Sequence, residues 1–222
     1  MQQVVEEALA TILRQKIAIV GAGRTDTGVH AKQLMAHFDI AIPVDTTQLQ
    51  YKLNALLPQE IVIRSIKEMR EDAHARFDAT SRSYKYKVHL QKDPFNFTGS
   101  YYVKRPLDIE TMNEAAKILL DYTNFKCFSK SKTDVKTYNC TITHAVWRQE
   151  QAHLVFEITA NRFLRNMVRA IVGTLLEIGE GKLEVTELHE IIKSEDRGAA
   201  GYSVPAQGLY LTEVTYPKKI YK

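Results

Sequence analysis

The sequence of 222 residues predicts an α+β protein: two mixed α/β subdomains, each a mainly antiparallel sheet covered by helices. Three observations lead there. Strand-like and helix-like segments are mixed along the whole chain with mostly short connections, which fits helix-covered sheets better than one doubly wound sheet. A polar, irregular stretch from Glu68 to Asp78 offers a link between two parts. The length suffices for a sizeable core, as one large or two small domains. The expected division is residues 1–72 and residues 80–222.

Residues 3–13 place Val4, Val5, Ala8, Leu9 and Ile12 on one helical stripe, with Glu6, Glu7 and Arg14 opposite. Ile17 to Val20 reads as a short buried strand bounded by glycine. His37, Phe38 and Ile40 suggest a returning strand, and Asp45 to Leu57 a helix stopped by Pro58. Ile61, Val62, Ile63 and Ile66 form a further strand-like apolar run. From Ser83 to Leu90 the residues alternate, with Tyr84, Tyr86 and Val88 on one face and Lys85, Lys87 and His89 on the other, a strand signal. Asp108 is a candidate N-cap for a helix whose apolar stripe is Ile109, Met112, Ala116 and Leu119. Cys140 to Trp147 and Leu154 to Ala160 read as two strands joined by a polar turn. Arg162 to Ile178 carries apolar residues at helical spacing throughout, which predicts a deeply buried helix with Arg162, Arg165 and Arg169 sharing a face near its start. A shorter helix is expected over Thr186 to Lys193, a surface loop over Gly198 to Gln207, and a closing strand through Leu209, Leu211 and Val214.

Composition narrows the function classes. Hydrophobic content of 45% and charged content of 25% are ordinary for a soluble globular protein. A net charge of +4 permits an anionic partner such as RNA without demanding one. The two cysteines, Cys127 and Cys140, lack a paired metal spacing and read as reduced, buried thiols of a cytoplasmic protein. The seven histidines are scattered and form no ligand cluster with the cysteines, so no metal is expected. No apolar run of membrane-spanning length and no signal-peptide pattern is present in this sequence.

One stretch is unlike the rest: Gly21-Ala22-Gly23-Arg24-Thr25-Asp26-Thr27-Gly28-Val29-His30, set after the Ile17–Val20 run. Its glycines imply a tight turn or a close approach by another group. In an extended segment Arg24 and Asp26 would point the same way. No Gly-Lys-Ser/Thr follows, and the spacing does not complete a dinucleotide fingerprint. A surface ion pair is the plain alternative. On spacing alone a structural turn outweighs a catalytic Asp26.

Gly-Arg-Thr-Asp-Thr-Gly-Val-His closely resembles the catalytic loop of the TruA family, the tRNA pseudouridine synthases that isomerise uridine in the anticodon arm. Asp72-Ala73-His74-Ala75-Arg76-Phe77 with Arg82-Ser83-Tyr84-Lys85-Tyr86 resembles the second signature of that family. Asn161 to Arg169 resembles the third, and Gly208-Leu209-Tyr210-Leu211 the C-terminal one. The resemblance covers almost the whole chain. It implies an active cleft between the two subdomains, with the catalytic Asp loop in the first and Tyr84 and Arg169 in the second. It also implies a homodimer in which one tRNA contacts both subunits, and modification at tRNA positions 38, 39 and 40. Members of the family begin with a strand and a Tyr-Asp-Gly…Gly-Trp-Gln segment that this chain lacks, so it is expected to be N-terminally short.

The reaction breaks the C1′–N1 bond, turns the uracil and joins C1′ to C5, with no redox change, group donor, metal or small-molecule cofactor. It needs a carboxylate beside the sugar and base. The resemblance assigns this to Asp26, as nucleophile or as the base that promotes glycosidic cleavage. A carboxylate withdrawn from water needs a cation to stay charged, and Arg169 is the expected partner, a solvated arginine being its plain reading. Tyr84 is assigned to stack on uracil or reach it with its hydroxyl, against a plain role as a strand residue. Arg24 could reach RNA, could fill the space left by the displaced base, or could pair with a neighbouring acid. Arg82, Lys85, Lys87, Lys130, Lys132 and Arg162 are candidate phosphate contacts. Two rivals remain: a truncated, catalytically inactive tRNA-binding relative, and a carboxylate-dependent nucleotide hydrolase, for which no second acid or metal set stands out.

Overall fold

The structure, a computed structural model, describes residues 1–131 and 135–221. Its class is α+β, with antiparallel pairing dominant. The contacts divide the chain into two compact units, and both are discontinuous. The first is Met1–Arg24, Leu34–Ala79 and Tyr216–Lys222; the second is Thr25–Gln33 and Thr80–Thr215. The loop bearing Asp26 thus belongs with the larger unit, because its continuation His30–Ala31 pairs with a strand there.

In the first unit, helices α1 (Gln2–Leu13) and α2 (Thr46–Leu56) pack together. Leu9 on α1 and Leu49 and Leu53 on α2 are buried with Ile17 and Leu57. Asp45 starts α2 by accepting from the amides of Thr47 and Gln48 at 2.9 and 3.0 Å. Strands β1 (Val20–Gly21) and β3 (Ala36–His37) form a short antiparallel pair. The strand expected over Ile61–Ile66 does not form. Its backbone is engaged by α2 side chains instead: Asn54 Nδ2 donates to the Ile63 carbonyl and Asn54 Oδ1 accepts from the Ile63 amide, at 2.9 and 2.7 Å. Gln50 Nε2 donates to the carbonyls of Ile63 and Arg64. The isoleucines still pack on the helix pair, so the apolar spacing reports burial without a ladder. The unit takes in the C-terminal segment, where Met69 bridges to Tyr221 and the Arg70 amide donates to the Ile220 carbonyl.

The second unit is a sheet with helices on one face. Its strands are β2 (His30–Ala31), β4 (Ser81–His89), β5 (Tyr101–Tyr102), β6 (Ile142–Glu150), β7 (His153–Ala160) and β8 (Leu209–Thr215), in the order β2-β8-β4-β7-β6, with β5 pairing to the end of β4. Tyr86 and Val88 of β4 alternate into the core, together with Leu154, Phe156 and Ile158 of β7. Two bulges shift the alternation. Thr212 on β8 has no opposite residue between the Ser83–Glu213 and Tyr84–Leu211 pairs, so burial runs Leu209, Leu211, Val214. A similar shift lies between Ile142 and His144 of β6, and Ile142 is followed inward by Ala145 and Trp147.

Helix α3 (Ile109–Ile118) packs on β6 and on α4 (Met167–Gly179), and α5 (Glu187–Ser194) closes the layer. Helix α4 is apolar almost all round and buried accordingly, from Met167 through Ile178. It starts five residues later than the apolar spacing suggests. Asn166 has φ 70°, a left-handed conformation that ends any helical path from Arg162. Arg162 therefore lies off the helix and donates to the Thr137 carbonyl. The expected surface loop over Gly198–Gln207 is at the surface only in part: Gly198, Ala199 and Tyr202 are exposed, whereas Ala200, Gly201 and Val204 are buried. A methyl group on Gly173 of α4 would overlap the Tyr202 carbonyl oxygen, so helix and loop backbones meet directly. Among the described residues, no helix is long and apolar enough to cross a membrane.

Candidate active site

Asp26 sits at the first position of a turn, with its carbonyl accepting from the Val29 amide at 3.1 Å. Gly28, third in that turn, has φ +88°, which a side chain would oppose. This is where the loop requires glycine; Gly23 has open space beside it. The turn leads directly into β2, which pairs in parallel with β8. Asp26 is thereby tied to the central sheet.

Two guanidinium groups meet its carboxylate. Arg169 Nη1 lies 2.8 Å from Oδ2, and Arg165 Nε lies 3.8 Å from Oδ1. Side-chain exposure separates them: 20% for Arg169 and 25% for Asp26, against 58% for Arg165. The inner pair is shielded, whereas the outer contact faces solvent and is worth little alone. Arg169 lies on the first turn of α4 and Arg165 just before the left-handed residue. The kink at Asn166 lets both reach one carboxylate.

Arg169 makes a second bond, from Nε to the Val204 carbonyl at 2.7 Å, and the Val204 amide donates back to the Arg169 carbonyl at 3.2 Å. The loop carrying Val204 is held by Asn166, whose Nδ2 donates to Ser203 Oγ at 2.6 Å. Arg197 completes the support. It donates from Nη1 to the carbonyls of Ala200 and Gly201, at 3.2 and 3.0 Å, and from Nη2 to Ser203 Oγ at 2.9 Å.

A cavity of about 540 Å³ opens here, lined by Asp26, Lys130, Ser131, Asn166, Arg169, Arg197 and Ser203. One acid faces three bases, so the lining suits an anionic ligand presented to a carboxylate. Such a carboxylate can attack an electrophilic carbon or accept a proton.

The sequence-derived residues fall differently around this site. Asp26 and Arg169 are brought together. Tyr84, on β4 beside the Thr212 bulge, meets Phe163 edge-on at 5.2 Å between ring centroids. Burial pushes its hydroxyl up to about 12; Arg82 opposes the rise and the Asp26 charge adds to it. The phenol is therefore neutral at physiological pH and within the electrostatic reach of Asp26. Arg24 is exposed at the end of a segment of the first unit. His30 is stacked on Tyr210 at 4.6 Å.

Of the basic candidates, Lys85 is engaged by Glu150 and Glu157 at 2.8 and 2.6 Å. Arg82 donates to the Asn161 carbonyl, and Lys87 lies over the Tyr210 ring. Lys130 lines the cavity, and Lys132 lies outside the described residues. The sequence assigns no site role to Arg165, Asn166, Arg197 or Ser203. Their one local signal is an asparagine inside an apolar helical pattern, which tolerates left-handed backbone. Among the described residues, no group of three or more His, Cys, Asp or Glu could hold a metal ion.

Comparison with known proteins gives consistent results. A family profile described as tRNA pseudouridine synthase matches residues 115–217. The tRNA pseudouridine synthase A of Parabacteroides distasonis is 54% identical over 222 residues, spanning 100% of this chain and 88% of the relative. That of Porphyromonas gingivalis is 52% identical over 225 residues, spanning 100% and 89%. That of Bacillus subtilis is 38% identical over 220 residues, spanning 97% and 89%.

Proposed function

This chain belongs to the tRNA pseudouridine synthase A family of isomerases, and from that membership we propose that it converts uridine to pseudouridine in the anticodon stem-loop of tRNA, at positions 38, 39 and 40, with Asp26 as nucleophile. The observation that carries the assignment of Asp26 is its 2.8 Å pairing with Arg169 at a cavity with a cationic surplus. A carboxylate oxygen attacks C1′ of the target nucleotide, and the C1′–N1 electron pair leaves with the uracil ring. The ring turns, C5 displaces the carboxylate from C1′, C5 loses its proton to solvent and N1 gains one. Atoms and electrons balance without an external donor. Tyr84 offers its ring to the uracil, and the exposed Arg24 meets the RNA. Taking a base out of a stem costs a few kcal/mol, and an inserted guanidinium offsets part of that. In this reading the protein works in the cytoplasm, where tRNA is processed, as a homodimer, whose mass light scattering would report.

Tritium release from tRNA labelled at uracil C5 tests the proposal. The parent chain is expected to release tritium from substrates carrying uridine at positions 38–40, and Asp26→Ala to release none while remaining folded. Release by Asp26→Ala would remove Asp26 from the chemistry. Binding of tRNA without release by the parent would leave a binding protein in place of an enzyme.

A further inference from the structure

We propose that Arg197 is a positioning residue for this reaction: through the strap Ala200–Val204 it sets the direction in which Arg169 presents its guanidinium to Asp26. The inference rests on the assignment of Asp26 as the reacting carboxylate. A guanidinium is planar, so fixing its Nε–H fixes where its Nη groups point. Arg169 Nε is fixed on the Val204 carbonyl, and Nη1 then falls on Asp26 Oδ2. The aim of Arg169 is therefore set by where Val204 lies.

Val204 belongs to a segment with no helix or strand of its own, yet Ala200, Gly201 and Val204 are buried. Side chains replace the missing ladder. Arg197 takes the carbonyls of Ala200 and Gly201 and the hydroxyl of Ser203, and Asn166 donates to that same hydroxyl. Thr174 Oγ1 accepts from the Gly201 amide at 2.9 Å. On the helix side Gly173 lets the Tyr202 backbone lie flush against α4. Without Arg197, two carbonyls lose their donor in a buried place, and the strap relaxes to recover partners. Val204 moves with it, and an error of about 1 Å at a reacting group is enough to lower a rate by up to about 100-fold.

The test is single-turnover tritium release at varied tRNA concentration. Arg197→Met is expected to lower the maximal rate about tenfold or more while half-saturation stays within about threefold, because the Arg197 Nη groups are engaged by the strap and only one of the cavity's three cations is lost. In an Arg169→Lys background, where the Nε anchor is already gone, adding Arg197→Met is expected to cost no more than about twofold. Gly173→Ala pushes the strap from the opposite side and, in folded protein, is expected to give the same split. Full activity in Arg197→Met, a loss confined to half-saturation, or losses that multiply in the double variant would overturn the inference. If Arg197→Met does not fold, Arg197→Lys takes its place and is judged by the same criteria. Failure of the underlying reading looks different: the parent would release no tritium, or Asp26→Ala would keep its activity, and both proposals then fall together.

Discussion

Arg169 donates in two directions at once, to a backbone carbonyl and to the Asp26 carboxylate. A lysine offers one compact ammonium and cannot hold both at the same angle. Arg169→Lys is expected to lower the single-turnover rate at least about tenfold with the fold intact; an unchanged rate would show that a point charge suffices. At Tyr84 the hydroxyl, pushed up to about 12, carries no charge between pH 6 and 9, so no limb of a pH–rate profile in that range belongs to it. In the proposed reaction the ring is the working part. Tyr84→Ala is expected to lose roughly tenfold more than Tyr84→Phe, in line with stacking worth about 1–3 kcal/mol per base. Equal losses would favour the hydroxyl. The two central residues, Asp26 and Arg169, lie 143 positions apart, so no local spacing relates them. The motif resemblance is what implies their pairing, and pattern alone favours the plain readings. Arg197 and Ser203 carry no such signal: Arg197 bonds two backbone carbonyls and Ser203 Oγ accepts from Arg197 and Asn166, contacts that leave no pattern in residue type.

Pattern served the elements well where one face is apolar and the other wet. Helices α1, α2, α3 and α5 and strand β7 form where their patterns put them; β4 keeps its alternation except at His89, which is buried, and β8 keeps its alternation on either side of its bulge. It failed where another interaction replaced the ladder or the turn. The 61–66 run is apolar for packing, but α2 side chains take its carbonyls. Leu164 keeps the helical spacing of α4 from a non-helical turn, because it is buried from outside the helix. The small residues of 198–207 suggest surface, yet small size is what lets backbone meet α4.

On the sheet face away from the helices, Glu157 receives Lys85 at 2.6 Å, Arg148 at 3.3 Å and His144 at 3.5 Å. Lys85 foremost holds the carboxyl of Glu157 below its ordinary range. A depressed carboxylate stabilises the fold above about pH 4.5, and that share is lost as pH falls through its folded titration. Lys85→Met is expected to cost about 0.5–1 kcal/mol at neutral pH and to flatten the fall in urea midpoint below pH 4.5. A parallel fall in parent and variant would deny the pair this role.

Across the whole molecule, buried groups that ionise only at high pH act in one direction. Burial pushes Cys127 to about 12 and Cys140 to about 11, and it raises Tyr86 and Tyr202 along with Tyr84. Each keeps its proton in the folded state while the unfolded chain gives it up from about pH 9 for thiols and 10 for phenols. Their contribution is complete below those values and drains away as pH rises towards the folded ones. The urea midpoint is expected to fall steadily from pH 9 to pH 11, and both thiols are expected to resist alkylation at pH 8 until the protein unfolds. A flat midpoint, or rapid labelling of folded protein, would contradict the burial.

The bridge from Met69 to Tyr221 and the bond from Arg70 to Ile220 also bear on how the protein is born. Residues near position 70 leave the ribosome about 150 residues before their partners. At roughly 5–20 residues per second they wait about 8–30 s. Helices α1 and α2 can pair during that time and hold residues 61–66, but the stretch from Met69 onward lacks its C-terminal partner. A nascent chain halted before residue 216 is therefore expected to stay open to protease between residues 67 and 79, and a chain released past residue 221 to be protected there. The first unit to emerge is the last to be finished.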